Sequence, residues 1–211
     1  MTPGPVTVDQ ALEELVRDIA THQPDGGRQM VGLAGPPGVG KSTLASLLVE
    51  RLGADASYVP MDGFHLATAQ LERLGRRGRK GAPDTFDVGG YVAALTRIAA
   101  GFRTHDVYVP GFDRAIEEPV AAALVVPADA PVVVTEGNYL ALWEEVRLRL
   151  DRIYYLDVDP QVRQTRLVAR HRQGGRGEDD AMRWAREVDG ANAERIAATR
   201  DRCDRVFVLA P

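Results

Sequence analysis

The segment Gly35-Pro36-Pro37-Gly38-Val39-Gly40-Lys41-Ser42-Thr43 carries the most specific chemical signal in the chain. It reads G-x-x-x-x-G-K-S, the Walker A pattern, in which glycines let backbone N–H groups curl around phosphate oxygens and a helix N-terminus favours negative charge. On this reading Lys41 follows the β- and γ-phosphates and the Ser42 hydroxyl ligates Mg²⁺. Gly35, Pro37, Gly38, Val39, Gly40 and Thr43 complete the nucleotide site. Two carboxylates end apolar runs elsewhere. Glu136, in Thr135-Glu136-Gly137-Asn138, stands where it would orient the water shell of Mg²⁺. A solvated carboxylate capping a strand is the plainer alternative for it. Asp62, in Met61-Asp62-Gly63-Phe64-His65, would accept a hydrogen bond from a substrate hydroxyl and take its proton as a γ-phosphoryl group transfers. Its alternative is an Asx-turn closed with Gly63.

These residues need rigid elements to hold them. Thr7 with Gln10 matches a capping box, and Leu12, Leu15, Val16 and Ile19 follow at helical spacing, so a helix is expected over about 8–21. Short apolar runs at Met30–Ala34, Tyr58–Met61, Val132–Thr135, Ile153–Asp157 and Val206–Leu209 read as strands. They alternate with helical patterns over about 41–52, 87–100, 140–149, 160–173 and 179–200. That alternation predicts an α/β fold with a parallel five-stranded core sheet and helices on both faces. Weaker β signals at Val107–Val109 and Leu124–Val126 suggest a small peripheral addition. The phosphate loop follows the first strand directly and opens the 41–52 helix, which is the context the motif requires.

The 211 residues, 45% hydrophobic and 27% charged, fit one globular domain over 1–211 and argue against disorder. A net charge of −4 argues against a general nucleic-acid binder, so any anion site must be local. Only Lys41 and Lys80 among the 26 basic residues are lysines, which makes their placement informative. A lone cysteine, Cys203, forms no internal disulfide and belongs to no metal-ligand cluster, an expectation consistent with the cytoplasm. No secretory start and no long apolar run are visible, so no membrane association is expected.

Taken in order, these motifs resemble the P-loop kinases that include uridine kinase, bacterial pantothenate kinase, nicotinamide riboside kinase and phosphoribulokinase. GPPGVGKST matches the phosphate loop, and MDGFH at 61–65 resembles the motif that supplies the family's catalytic carboxylate. RKGAPDTFD at 79–87 resembles the stretch before the acceptor pocket, and VVVTEGNYL at 132–140 resembles the Mg²⁺-side acidic strand. DVDPQVRQTRLVARH resembles the lid, and the segment from Asn192 to Leu209 resembles the pantothenate kinase pattern near the nucleotide base. The resemblance implies a P-loop NTPase-type three-layer sandwich with a helical lid over about 160–180. It implies ATP and Mg²⁺ as cofactors and a small-molecule hydroxyl acceptor as partner. Relatives often form dimers, which makes a homodimer an expectation. The chain is shorter than the pantothenate kinases, and no segment matches the one that reads the pyrimidine in uridine kinase.

Arg163, Arg166 and Arg170 fall on one face of a 160–173 helix, where they would close over the triphosphate, unless that face is merely solvated. Arg166 and Arg170 are the candidates for stabilising the transferring group. Arg172 and Arg176 lead into a glycine-rich turn that reads as a hinge or lid tip. For the acceptor, His65, Lys80, Asp84, Phe86, Tyr108 and Arg114 join Asp62, with Asp87, Phe112 and Asp113 as weaker candidates. Asp87 serves equally well as a helix cap, Phe86 as core, His65 as a satisfied buried histidine and Lys80 as a solvated charge. The reading is an ATP-dependent kinase acting on a nucleoside, sugar or pantothenate-like hydroxyl. The alternative is a nucleotide-dependent regulatory or chaperone-type NTPase, in which water is the nucleophile.

Overall fold

The computed structural model describes residues 4–211. Along the chain, α1 (Val8–Thr21) leads into β1 (Gln29–Ala34) and α2 (Lys41–Leu52), followed by β2 (Ala56–Pro60), α3 (Thr68–Arg73) and α4 (Val88–Gly101). An antiparallel hairpin, β3 (Val107–Asp113) and β4 (Glu118–Val126), precedes β5 (Val132–Gly137). The chain ends with α5 (Glu144–Arg147), β6 (Arg152–Asp157), α6 (Pro160–Gln173), α7 (Glu178–Trp184), α8 (Gly190–Ala197) and β7 (Arg205–Val208).

Five strands form one parallel sheet in the order β2-β5-β1-β6-β7. Side chains alternate across it, as the pleat requires. Val31, Leu33, Val132, Val134, Tyr154 and Leu156 pack with Ala11, Leu15 and Ile19 of α1 and Leu44 and Leu48 of α2. Met30, Ala34, Val133, Ile153 and Tyr155 face the opposite layer, with Tyr91, Leu95 and Ile98 of α4. Both faces are thereby covered. Because every strand runs the same way, the ends of β2, β5 and β1 open side by side at one edge, and Pro60 lies in register with Glu136.

Most expected elements form, and the differences have local causes. Thr7 and Gln10 exchange both capping-box bonds, at 2.9 and 3.2 Å, and start α1. The weak β signals grow into strands of seven and nine residues. The 140–149 pattern yields only the short α5, because Tyr139 and Trp143 are drawn into an aromatic cluster with Phe86, at ring distances of 5.7 and 5.6 Å. The 179–200 pattern breaks into α7, a wide π turn at Ala185–Asp189, and α8.

One close approach fixes where Asp62 stands. After β2 the chain makes a 3₁₀ turn over Met61–Phe64 that packs under the hairpin. A Cβ on Gly63 would lie 2.4 Å from the Pro110 carbonyl oxygen, so no larger residue fits without moving the hairpin. Gly63→Ala is expected to cost about 1–3 kcal/mol in urea unfolding, purely through overpacking. An unchanged midpoint would show that the hairpin yields and does not set the turn.

Candidate active site

The loop between β1 and α2 wraps the helix N-terminus. Gly38 (φ +79°) and Gly40 (φ +102°) hold left-handed conformations that side chains resist. Gly38 also passes so close to α6 that a Cβ would meet the Leu167 side chain at 2.9 Å. Lys41 opens α2 and is only 7% exposed. Its Nζ donates to the Pro36 carbonyl at 3.1 Å and to Asn138 Oδ1 at 2.7 Å. Burial pushes the ammonium down to about 8, against the opposing pull of the Glu136 and Asp62 carboxylates.

Beside it, Ser42 Oγ donates to Glu136 Oε1 at 3.1 Å, and the Tyr58 hydroxyl donates to the same oxygen at 2.8 Å. Glu136 is 3% exposed. Burial raises its pKa and Asp62 adds to the rise, while Lys41 and the two hydroxyls oppose it. Tyr58 and Asn138 were not among the residues expected here. Asn138 lies two positions beyond Glu136, on the same side of the extended chain, which is a period-two signal that reading the Walker motif alone passes over. Tyr58 gives no comparable signal.

Asp62 faces the same cleft from the end of β2. Arg114 of the hairpin donates to its Oδ2 at 3.3 Å. His65 is half-buried, bonds through Nδ1 to the Asp62 main-chain oxygen at 2.9 Å, and packs tilted against Phe86 at 3.9 Å; its partial burial lowers its pKa. Lys80 donates to Thr68 Oγ1 at 3.2 Å and to the Glu117 carbonyl. His65, Lys80, Phe86, Phe112 and Arg114 all line the cleft, of about 460 Å³, that also holds Lys41, Ser42, Asp62 and Glu136.

Other expected residues stand apart from it. Asp84 is held by Arg79 at 2.6 Å and Arg76 at 3.4 Å and does not line the cleft. Tyr108 is 60% exposed on the outer side of the hairpin, because odd and even positions of β3 face opposite ways. Asp87 accepts from Gly90 N at 2.8 Å and caps α4, while Asp113 accepts from Ala115 N in the hairpin turn. Pro37, Gly38, Gly40 and Thr43 line the cleft, while Gly35 and Val39 support the loop from behind. From α6, Arg166 and Arg170 line the cleft; Arg166 NH1 reaches the Val39 carbonyl at 3.5 Å. Arg176 lines it too, whereas Arg163 and Arg172 do not.

A phosphate loop and two carboxylates at adjacent ends of parallel strands define a nucleotide-binding phosphotransferase of the P-loop class. The chain belongs to the P-loop small-molecule kinases of the uridine kinase, pantothenate kinase and phosphoribulokinase family. It is 35% identical over 198 residues to YggC of Escherichia coli, spanning 90% of this chain and 81% of that protein. It is also 35% identical over 161 residues to a candidate uridine kinase of Schizosaccharomyces pombe, spanning 70% of this chain and 68% of that one. Among solved structures, a candidate fructose transport system kinase from Silicibacter sp. TM1040 superposes with a TM-score of 0.82 at 35% identity, covering 96% of this chain and 99% of that one. No protein-family model matches the chain. Among the described residues, no helix is long and apolar enough to cross a membrane.

A buried lysine whose pKa is depressed holds its proton less tightly in the folded than in the unfolded chain. The charged group therefore weakens the nucleotide-free fold below about pH 8, and this weakening fades as pH rises towards the ordinary lysine value. Lys41→Met is expected to stabilise the nucleotide-free protein by about 1 kcal/mol at pH 7 and to abolish the stabilisation that added nucleoside triphosphate gives. Thermal unfolding with and without nucleotide measures both. A lowered nucleotide-free midpoint would mean that the bonds to Pro36 and Asn138 outweigh the cost of burial.

Proposed function

We propose that the protein transfers the γ-phosphoryl group of ATP to a hydroxyl of a nucleoside, sugar or pantothenate-like small molecule. The observation that carries this reading is the shared cleft. Asp62 lines the same cavity as the phosphate loop, close enough for its charge to act on Lys41. In the reading, Asp62 accepts the proton of the attacking hydroxyl, and Arg114, bonded to Asp62, orients the carboxylate. Lys41 follows the transferring phosphoryl group, and Arg166 and Arg170 stabilise its charge from α6.

ATP fits the loop through the backbone of Pro37–Gly40 and the hydroxyl of Thr43, and α6 with the following turn acts as a lid over about 160–180 within a single kinase domain. Mg²⁺ suits the donors present: Ser42 Oγ and the Glu136 carboxylate are hard oxygens 3.1 Å apart, and two protein oxygens suffice where waters and phosphates complete an octahedron. Bound there, the ion would neutralise charge on the β- and γ-phosphates. His65, Lys80 and Phe86 form the acceptor side with Phe112, and the cytoplasm and a homodimer complete the proposal.

Two measurements test it. Asp62→Asn keeps size and hydrogen bonding but loses the negative charge, so single-turnover transfer to an acceptor is expected to fall by at least about a hundredfold while ATP affinity changes little. A rate within about threefold of the original, under roughly 0.7 kcal/mol of barrier, would reject Asp62 as the base. Transfer is also expected to stop in excess chelator and to return with Mg²⁺ or Mn²⁺. Full activity in chelator would remove the ion from Ser42 and Glu136.

A further inference from the structure

One wall of the cleft takes no part in the transfer chemistry. It forms at the junction of α7 and α8, where Ala185–Asp189 make a π turn closed by Gly190 N–H donating to the Ala185 carbonyl. In an ordinary α-helix, residues five apart diverge by about 140°. A turn bonded i→i+5 winds wider and narrows that divergence, and such turns collect at functional sites. Trp184 and Asp189 are five apart, and both meet His171 of α6. His171 Nε2 lies 2.6 Å from Asp189 Oδ2, and the indole stands edge-on to the imidazole at 6.4 Å. Arg176 lies over the indole at 3.8 Å and holds it in place.

Asn192 follows Asp189 by three residues, on the same helix face, and is 4% exposed. Its amide nitrogen reaches the Gly81 carbonyl, at a long 3.4 Å. Among the described residues Asp189 Oδ1 and Asn192 Oδ1 have no hydrogen-bond partner, and both residues line the cleft that holds Asp62. A carboxylate oxygen beside an amide oxygen accepts hydrogen bonds from two neighbouring hydroxyls. A pinned indole beside them offers an apolar plane for the C–H face of a ring. An acidic acceptor suits this wall poorly. Asp189 would repel it, and the nearer cations are already engaged: Lys80 faces Glu118 at 3.9 Å, Arg114 faces Asp62 at 3.3 Å and Arg176 covers the indole, while Arg166 and Arg170 lie towards the phosphate loop and Lys41.

We propose that Asp189, Asn192 and Trp184 read the phosphate acceptor as a neutral ring bearing a vicinal diol, a furanose or pyranose, and discriminate against acceptors that carry a carboxylate. The proposal rests on the kinase reading of the same cleft and narrows its acceptor. The diol hydrogen-bonds to Asp189 and Asn192, the ring packs on Trp184, and a further hydroxyl is left to face Asp62.

The test uses binding, so that it does not depend on turnover. Trp143→Phe leaves Trp184 as the only indole, and its emission is followed with Mg²⁺ and a non-hydrolysable ATP analogue present. The probes are uridine and D-fructose as neutral ring diols, and D-glycerate and pantothenate as acids. At least one neutral diol is expected to change the emission saturably, and Asp189→Ala in the same background to weaken that binding at least about tenfold with ATP affinity preserved. Should Asp189→Ala lose ATP binding, Asn192→Ser tests the same wall and is expected to weaken the diol by about threefold or more. A saturable response to an acid alone, an affinity unchanged by these variants, or silence towards all four probes would overturn the proposal. Phosphorylation of the same probes is measured separately. A diol that binds at Trp184 but is never phosphorylated counts against the kinase reading and leaves the wall standing, whereas phosphorylated acids with Trp184 silent overturn the wall alone.

Discussion

The structure depends on holding one ammonium, that of Lys41, almost out of water at the edge of a parallel sheet. A bare cation there would be prohibitive, since desolvation of an isolated charge costs many kcal/mol. Glu136 supplies opposite charge from β5, which pairs with β1, and Asp62 from the turn after β2, which pairs with β5, while the Pro36 carbonyl and Asn138 amide supply acceptors. The dependence runs both ways. Glu136 is itself buried, and Lys41, Ser42 and Tyr58 partly offset the cost of its burial. The cation and the two carboxylates are thus held in mutual balance at the ends of adjacent strands.

That balance needs β2, β5 and β1 side by side with their ends level. The hydrophobic layers secure this: a period-two alternation sends Val31 and Leu33 to one face and Met30 and Ala34 to the other, so a register slip would turn each strand inside out. The wall around Asp62 is built differently. It rests on an aromatic chain from His65 through Phe86 to Tyr139 and Trp143, and on the hairpin that presses on Gly63 and delivers Arg114. The phosphate loop is therefore held by backbone geometry, whereas the wall around Asp62 is held by side-chain packing.

Much of this was legible in the sequence, because it is encoded over short distances. The phosphate loop is a matter of nine adjacent residues, strands and helices announce themselves by period, and Asp62 and Glu136 are recognisable as acids ending apolar runs. Asp84 and Tyr108 illustrate the limit. Each has suitable chemistry and lies in a suitable stretch, yet Asp84 is taken up by Arg76 and Arg79, and Tyr108 falls on the solvent side of β3. Neither partner nor side is written in the local pattern.

The sequence by itself determined the fold class, the nucleotide loop and the acids that accompany it, since each follows from spacing along one element and from the rule that parallel strands end together. Only the tertiary structure decided what meets across elements. Tyr58 and Asn138 reach Glu136 and Lys41 from separate strand ends, and the π turn that brings Trp184 and Asp189 together onto His171 interrupts a pattern that reads as one continuous helix. Hydrogen-bond registers of a single wide turn, and contacts between residues far apart in the chain, are set by the packing of whole layers.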